Sequence, residues 1–455
     1  MVVNSSQVLD VIVGVYLGDE GKGKIVEEET DRALGLNDGK RVVVVRFQGG
    51  NNAGHTLYPL DKRGKRVKFV THAAPSGIAR NTDIAIGPDV AFNPLAFASE
   101  LKEAKELFGY NGRVLISDRA GVVLEYHQLL DAANERNGNG VGSTKRGIGP
   151  FYQDNARRTT RIPFGEYVSH RFENILHKVL DLKRTEIGTN EINLVKLRDR
   201  ILSDHEIIRR ELRGMEENLE YRMRDYLDNG DHIIIEGAQG TGLDVNMGDI
   251  PNVTSSHLLA PNAFATLGLP RRSFKVIGVE KIYATRVGKG NLPTQANDEF
   301  ASVGDDAGEV GASTGRKRTV GYPDWLGVRR GVMLNDCDEI VLTRADCVQD
   351  REIKVCVAYD VNGFLREEVP RSLEGVRPGY SGTSYKWKLW DGHRDVSDAL
   401  KVDDKLREIR QNYVKSGFNG LPESLQQFIK DHDKFVRCRT TGVSIGPASG
   451  ETVHF

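Results

Sequence analysis

A chain of 455 residues, 39% apolar and 28% charged, has material for a substantial core and the composition of an ordinary globular protein. Its net charge of −1 provides no overall basic field, which argues against nucleic acid as a partner and leaves any anionic ligand to local basic clusters. No run approaches the roughly 18 apolar residues of a membrane span, the first ten residues do not read as a signal peptide, and four cysteines without C-x-x-C spacing suit a reduced, cytoplasmic protein.

In chain order, residues 8–15 form a short β-branched run that predicts a buried strand, followed by a glycine-rich loop and a helical pattern over 25–34. Residues 41–47 hold four consecutive valines, as a central parallel strand covered on both faces requires. Further apolar runs at 84–86, 114–116, 233–235, 275–279 and 340–342 alternate with helical patterns such as 94–107 and 126–134. The alternation predicts an α/β fold with a large, mostly parallel sheet. The segment 165–227 is dense in Glu, Arg, Lys and Leu and reads as a helical insertion within one unit spanning 1–455. After residue 350, short strands alternate with polar loops (375–392 among them), then a charged helical stretch at 398–416 and a last strand near 443–445.

The loop Gly18-Asp19-Glu20-Gly21-Lys22-Gly23-Lys24 fits the first seven positions of a phosphate-binding loop, with a strand before it and a helix after it. Glycines let successive backbone N–H groups converge on phosphate oxygens, and the helix N-terminus adds partial positive charge. The eighth position departs from that pattern. Ile25 stands where a hydroxyl would bind Mg²⁺, so the nearest hard oxygen is the carboxylate of Asp19. A glycine-rich turn with solvated lysines is the plain alternative, and an ordinary nucleoside triphosphatase also remains open at this point.

Other clusters follow apolar strands, at the sheet edge where ligands bind. Asn52-Ala53-Gly54-His55-Thr56 offers a histidine among small residues, suited to general acid chemistry or to phosphate. The stretch 142–150, with Ser143, Thr144, Lys145 and Arg146, suits a second phosphate, and Arg157 lies shortly beyond. Gln239 follows the 233–235 strand, and Thr254 lies in a polar loop. Ala312-Ser313-Thr314-Gly315-Arg316-Lys317-Arg318 joins small residues to three cations able to grip a carboxylate or phosphate. Arg344 and Asp346 close the 340–342 strand. A carboxylate at 346 would accept N1–H and the exocyclic amine of guanine, selecting GTP over ATP; a helix cap or turn is the plain reading. Each cluster alone is also compatible with a solvated loop.

Together, GDEGKGK at 18–24, NAGHT at 52–56, EGAQGT at 236–241, VTSS at 253–256 and GASTGR at 311–316 resemble the adenylosuccinate synthetase family. The resemblance runs from about residue 11 to 447. It implies a ligase that condenses IMP with L-aspartate at the expense of GTP, by way of 6-phosphoryl-IMP. By the same resemblance, Asp19 is the base for N1 of IMP and His55 the acid. Mg²⁺ is held by Asp19 and the Gly54 carbonyl. Gly18, Glu20, Gly21, Lys22, Gly23, Lys24, Gly54, Thr56, Arg318, Arg344, Asp346, Ser444 and Gly446 contact GTP. Asn52, Ala53, Thr144, Gln239 and Thr254 contact IMP, as does Arg316, and Arg157 is offered across a homodimer interface. Residues 312–318 correspond to the L-aspartate loop.

The chain departs from the family pattern at Tyr16-Leu17, where Gln-Trp is usual, and at Asn51, Lys145 and Arg344, which replace histidine, glycine and lysine. The 316–319 stretch is also less arginine-rich. None of these changes removes a proposed catalytic group. Two other functions are compatible with the motifs: a related ligase acting on another purine monophosphate, and a GTP-binding module without ligase activity. Asp19 weighs against the first and the 142–149 cluster against the second.

Overall fold

Two runs of β-branched residues set the architecture. Leu9–Gly14 (β1) and Val42–Gly50 (β2) are buried at every position, which a sheet open to water on one face would not permit. They join Asp83–Phe92 (β3), Val114–Ser117 (β4), Gly121–Val122 (β5), Glu216–Glu217 (β6), His232–Gly240 (β7), Lys275–Lys281 (β8), Glu339–Thr343 (β9), Thr440–Ser444 (β10) and Thr452–His454 (β11). The structure is a computed structural model that describes residues 7–138, 140–188, 192–270, 274–311, 315–391 and 398–455. Among the described residues the central sheet has eleven strands in the order β11-β10-β9-β8-β1-β7-β2-β3-β4-β6, with β5 beside β3. All pairs are parallel except β10 with β11. This is the α/β sheet that the alternation of patterns predicts.

Period-two alternation divides β1 between two cores. Val11 and Val13 pack with Met223, Tyr226 and Phe264, from the helices Leu219–Asp228 and Ala260–Leu267. Ile12 packs instead with Ile25, Val26 and Ala33 of the helix Lys22–Gly35 (α1). The sheet is therefore covered on both faces. Because β1, β2, β7, β9 and β10 run parallel in one sheet, the loops after them emerge at one carboxyl-terminal edge.

The 165–227 segment is helical, with Phe172–Leu182 and Leu194–Leu212 as its longer elements. Their apolar stripes do not close on each other alone. Leu176, Val179, Leu197 and Ile201 share a core with Phe97 and Leu101 of the helix Pro94–Phe108. The segment also contributes β6 to the sheet edge.

Two regions differ from their sequence patterns. Residues 142–150, which read as a loop, turn at Ile148 into a helix, Ile148–Arg157; Pro150 is tolerated because it lies in the first turn. The polar run at 375–392 contains a strand, Arg377–Tyr385, which pairs with Ile353–Val361 in a three-stranded antiparallel sheet. The helices Asp404–Ser416 and Glu423–Val436 then return the chain to β10.

Candidate active site

The glycine loop leaves β1 through three residues of left-handed backbone. Gly18, Asp19 and Gly21 have φ of 91°, 59° and 94°, and α1 begins at Lys22. Asp19 is thus held where an L-residue is strained, a state that surrounding structure must enforce. Behind the loop lies Glu20, which is 2% exposed. Its carboxylate accepts from the backbone N–H of Gly18 at 2.7 Å and pairs with Lys22 Nζ at 2.7 Å. Gly14 and Gly240 make this possible, since a Cβ on either would come within 2.4 Å of a Glu20 oxygen. Lys24 reaches across to β10, donating to Ser444 Oγ at 2.6 Å and to the Gly446 carbonyl at 2.8 Å. Ile25 is buried in the core beneath α1, away from any ligand.

In front of the loop, Asp19 Oδ2 lies 2.9 Å from Arg318 Nε. Arg318 is itself fixed by Glu309, a buried carboxylate that also takes Lys281 Nζ at 3.0 Å and the Tyr283 hydroxyl. Burial pushes the Glu309 carboxyl up, but Lys281, Arg344 and Arg318 outweigh it and hold the group well below the usual range. Glu309 therefore anchors the base of the 311–318 loop by charge. Ala312, Ser313 and Thr314 of that loop lie outside the described residues.

His55 opens a short strand, His55–Leu57, beside Phe69–Thr71. Its Nδ1 contacts Glu236, and Arg46 Nη2 lies 3.1 Å away. Glu236 also accepts from the Ser76 backbone N–H and hydroxyl, both at 2.7 Å. Burial and Arg46 lower the His55 pKa, with Glu236 pulling the other way, so the imidazole is held toward its neutral form. Burial raises Glu236, but Arg46, His55 and Ser76 bring it down to about 2. A fixed carboxylate on one ring nitrogen orients the other, which is how a histidine is prepared to donate a proton. Glu236 and Arg46 carry no role in the sequence reading. A signal for them was present: a lone charge ends each of two apolar runs, Val42 to Val45 before Arg46 and Ile233 to Ile235 before Glu236, and the two are partners in the β2–β7 register.

The second glycine cluster has its donors already engaged. Glu135 Oε1 accepts from the N–H groups of Gly142 and Ser143, at 3.0 and 2.8 Å. Asp131 accepts from the Ser143 hydroxyl at 2.7 Å and from Gly147 N–H at 2.9 Å. Arg316 Nη2 donates to the carbonyls of Gly142 and Ser143 at 3.0 Å, joining this loop to the 311–318 loop.

All of this surrounds one cavity of about 1100 Å³. Its walls bring together Gly18, Asp19, Gly21, Lys22, Gly23 and Lys24 with Asn52, Ala53, Gly54, His55 and Thr56. Thr144, Gln239, Thr254, Gly315, Arg316, Arg318, Arg344, Ser444 and Gly446 line it too. Three of the non-glycine residues among these, Asp19, Gln239 and Arg344, have positive φ. Neither amide atom of Gln239 has a protein hydrogen-bond partner although both are buried, so its donors and acceptor are left for a ligand. Three other residues with predicted contacts do not line the cavity. Glu20 is behind the loop, Arg157 pairs with Glu186 at 3.0 Å on the surface, and Asp346 is buried outside the cavity wall, near the wall residue Arg344. Arg344 turns its guanidinium to the Ala307 carbonyl at 3.2 Å.

Among the described residues no three His, Cys, Asp or Glu side chains cluster as a metal site. The Asp19 carboxylate and the Gly54 backbone in the cavity wall provide hard oxygen donors, a set that suits Mg²⁺ completing its shell with phosphate and water.

Sequence and structure comparisons converge. The family model described as adenylosuccinate synthetase matches residues 11–453. The adenylosuccinate synthetase of Wolinella succinogenes is 33% identical over 98% of this chain and 99% of its own. That of Stenotrophomonas maltophilia is 36% identical over 97% of each. The fully ligated adenylosuccinate synthetase of Plasmodium falciparum superposes with a TM-score of 0.82 at 26% identity, covering 98% of this chain and 99% of that one. The cyanophage S-2L succinoaminodeoxyadenylate synthetase, at 19% identity and TM-score 0.59 over 98% of this chain and 95% of its own, shares the fold.

Proposed function

The chain belongs to the adenylosuccinate synthetase family and is a GTP-dependent ligase joining IMP to L-aspartate in AMP synthesis, and we propose that Asp19 and His55 carry its catalysis. The observation that supports this assignment most directly is their shared cavity. Asp19 is strained and charge-fixed by Arg318 on one wall, and His55 is oriented by Glu236 on another.

Asp19 removes the N1 proton of IMP, making O6 a nucleophile toward the γ-phosphate of GTP. His55 donates to the phosphoryl group as charge moves onto it, and Lys22 and the amides at the start of α1 offset that charge. The amine of L-aspartate then displaces phosphate from C6 of 6-phosphoryl-IMP, giving adenylosuccinate. Asp19 and the Gly54 carbonyl would hold Mg²⁺, whose contribution there is neutralisation of the triphosphate.

The IMP subsite comprises Asn52, Ala53, Thr144, Gln239, Thr254 and Arg316, the unpartnered Gln239 amide being its clearest mark. Residues 312–318 take L-aspartate. GTP lies along 18–24, Gly54, Thr56, Arg318 and Arg344, with its base toward Asp346, Ser444 and Gly446. Arg157 serves a partner subunit in a homodimer, and a light-scattering mass of one chain would refute that. We place the enzyme in the cytoplasm, in keeping with its four free cysteines, and treat 1–455 as one unit with 165–227 inserted in it.

The direct test mixes purified protein with IMP, L-aspartate, GTP and Mg²⁺ and follows adenylosuccinate by absorbance. Turnover only with a different purine monophosphate would transfer the chain to a related ligase. GTP hydrolysis independent of aspartate would make it a nucleotide-binding module.

A further inference from the structure

Beneath the base end of the cavity lies an arginine that no motif marks. Arg410 is on the helix Asp404–Ser416, whose buried positions are Leu406 and Arg410, and its side chain is completely buried. The guanidinium sits between two carboxylates. Its Nη2 is 3.5 Å from Asp346 Oδ2, and its Nη1 donates to Glu451 Oε1 at 3.2 Å. The Trp390 ring backs it, with Cζ 5.3 Å from the ring centroid. Glu451 in turn braces the turn after β10, accepting from Ala448 N–H at 2.9 Å on its other oxygen. Above this network runs the backbone of Gly446. A Cβ there would lie 2.7 Å from Arg410 Cζ and 2.3 Å from Glu451 Oε2. The cation is thus packed directly under the wall that meets the base.

We infer that Arg410 is the positioning residue for guanine selection, holding the Asp346 carboxyl in a fixed orientation under the base subsite. This rests on the assignment of Asp346 to the base given above. The chemical reason lies in the edges being discriminated. Guanine presents two donors, N1–H and the 2-amino group, whereas adenine presents an acceptor at N1. A carboxylate is an acceptor only and matches guanine alone; a carboxylic acid has one donor and one acceptor and loses that discrimination. Burial outweighs the surrounding cations and leaves the Asp346 carboxyl raised above its ordinary value, and Arg410 is the largest of the opposing charges, ahead of Arg344 and Lys24. Arg344 is partly committed to the Ala307 carbonyl and Lys24 to Ser444 and Gly446. Arg410 is therefore the cation best placed to fix this carboxylate.

The experiment compares kcat/KM for GTP, ITP (which lacks the 2-amino group) and ATP in the wild type, Arg410→Gln, Arg410→Lys and Asp346→Asn. Arg410→Gln is expected to lower kcat/KM for GTP about 100-fold, mainly through KM, and to reduce the GTP:ATP preference at least about tenfold. KM for IMP and for L-aspartate should stay unchanged, and Arg410→Lys should restore part of the preference. A purely structural brace would lower activity with all three triphosphates alike, and an unchanged GTP:ATP ratio in Arg410→Gln overturns the inference. If Arg410→Gln does not fold, Arg410→Lys decides: a reduced ratio supports the inference and an unchanged ratio overturns it. Asp346→Asn separates the two levels. A collapsed ratio there with an intact one in the Arg410 variants rejects Arg410 alone, whereas an intact ratio in Asp346→Asn removes the base assignment and the inference with it.

Discussion

Two glycine loops border the same cavity, each with carboxylates bonded to its backbone N–H groups, but those carboxylates lie on opposite sides. In 18–24 the carboxylate is Glu20, sealed behind the loop between Gly14 and Gly240 and neutralised by Lys22. In 142–149 the carboxylates are Asp131 and Glu135, and both line the cavity. A carboxylate behind a loop shapes it and leaves its open face to the ligand. On the ligand side, a carboxylate occupies the very donors that a phosphate would use. The first loop is preformed, then, and on the proposed reading the second exchanges an internal carboxylate for the phosphate of IMP. Glycine content alone does not distinguish these states.

The largest effect that sharpens this contrast is expected on the open face of the first loop. Asp19→Asn should lower kcat about 1000-fold while leaving the unfolding transition in place, because the charge that accepts the proton and faces Mg²⁺ and Arg318 is lost from a cavity wall rather than from the core. Turnover within tenfold of the wild type would reject Asp19 as the base. Next comes the strut behind the loop. Glu20→Gln strands the Lys22 ammonium without its counter-charge at a site 3% exposed, and should cost about 3 kcal/mol in chemical denaturation. Unchanged stability would break the contrast by showing that nothing is held from behind. The smallest effect belongs to the second loop. Glu135→Gln should leave stability within about 0.5 kcal/mol, since the site is part-exposed, and tighten IMP binding a few-fold by removing a negative competitor. Calorimetry giving equal or weaker IMP affinity would show that the loop is not self-occupied.

Much of the frame was legible because it depends on local pattern. The all-buried strands at 9–14 and 42–50 follow from unbroken β-branched runs, and the helix after the first loop from its Glu- and Ala-rich sequence. The helix at 148–157 was less legible, since Gly149 and Pro150 look like loop residues outside the context of a first turn. Arg377–Tyr385 is too polar and exposed to announce a strand.

By itself, the sequence determined which residue types stand at the ends of the strands: the glycines and lysines of 18–24, the His55 cluster, the Gln239 amide and the cations at 316–318. It also denied a metal hydroxyl at Ile25. Tertiary structure alone decided which groups face the ligand and which stand behind them. Glu236 meets His55 across 181 residues of chain, and Arg410 meets Asp346 across 64. Such pairings depend on strand order, register and helix docking, which bring remote segments within ångströms and are not written in the neighbours of either residue.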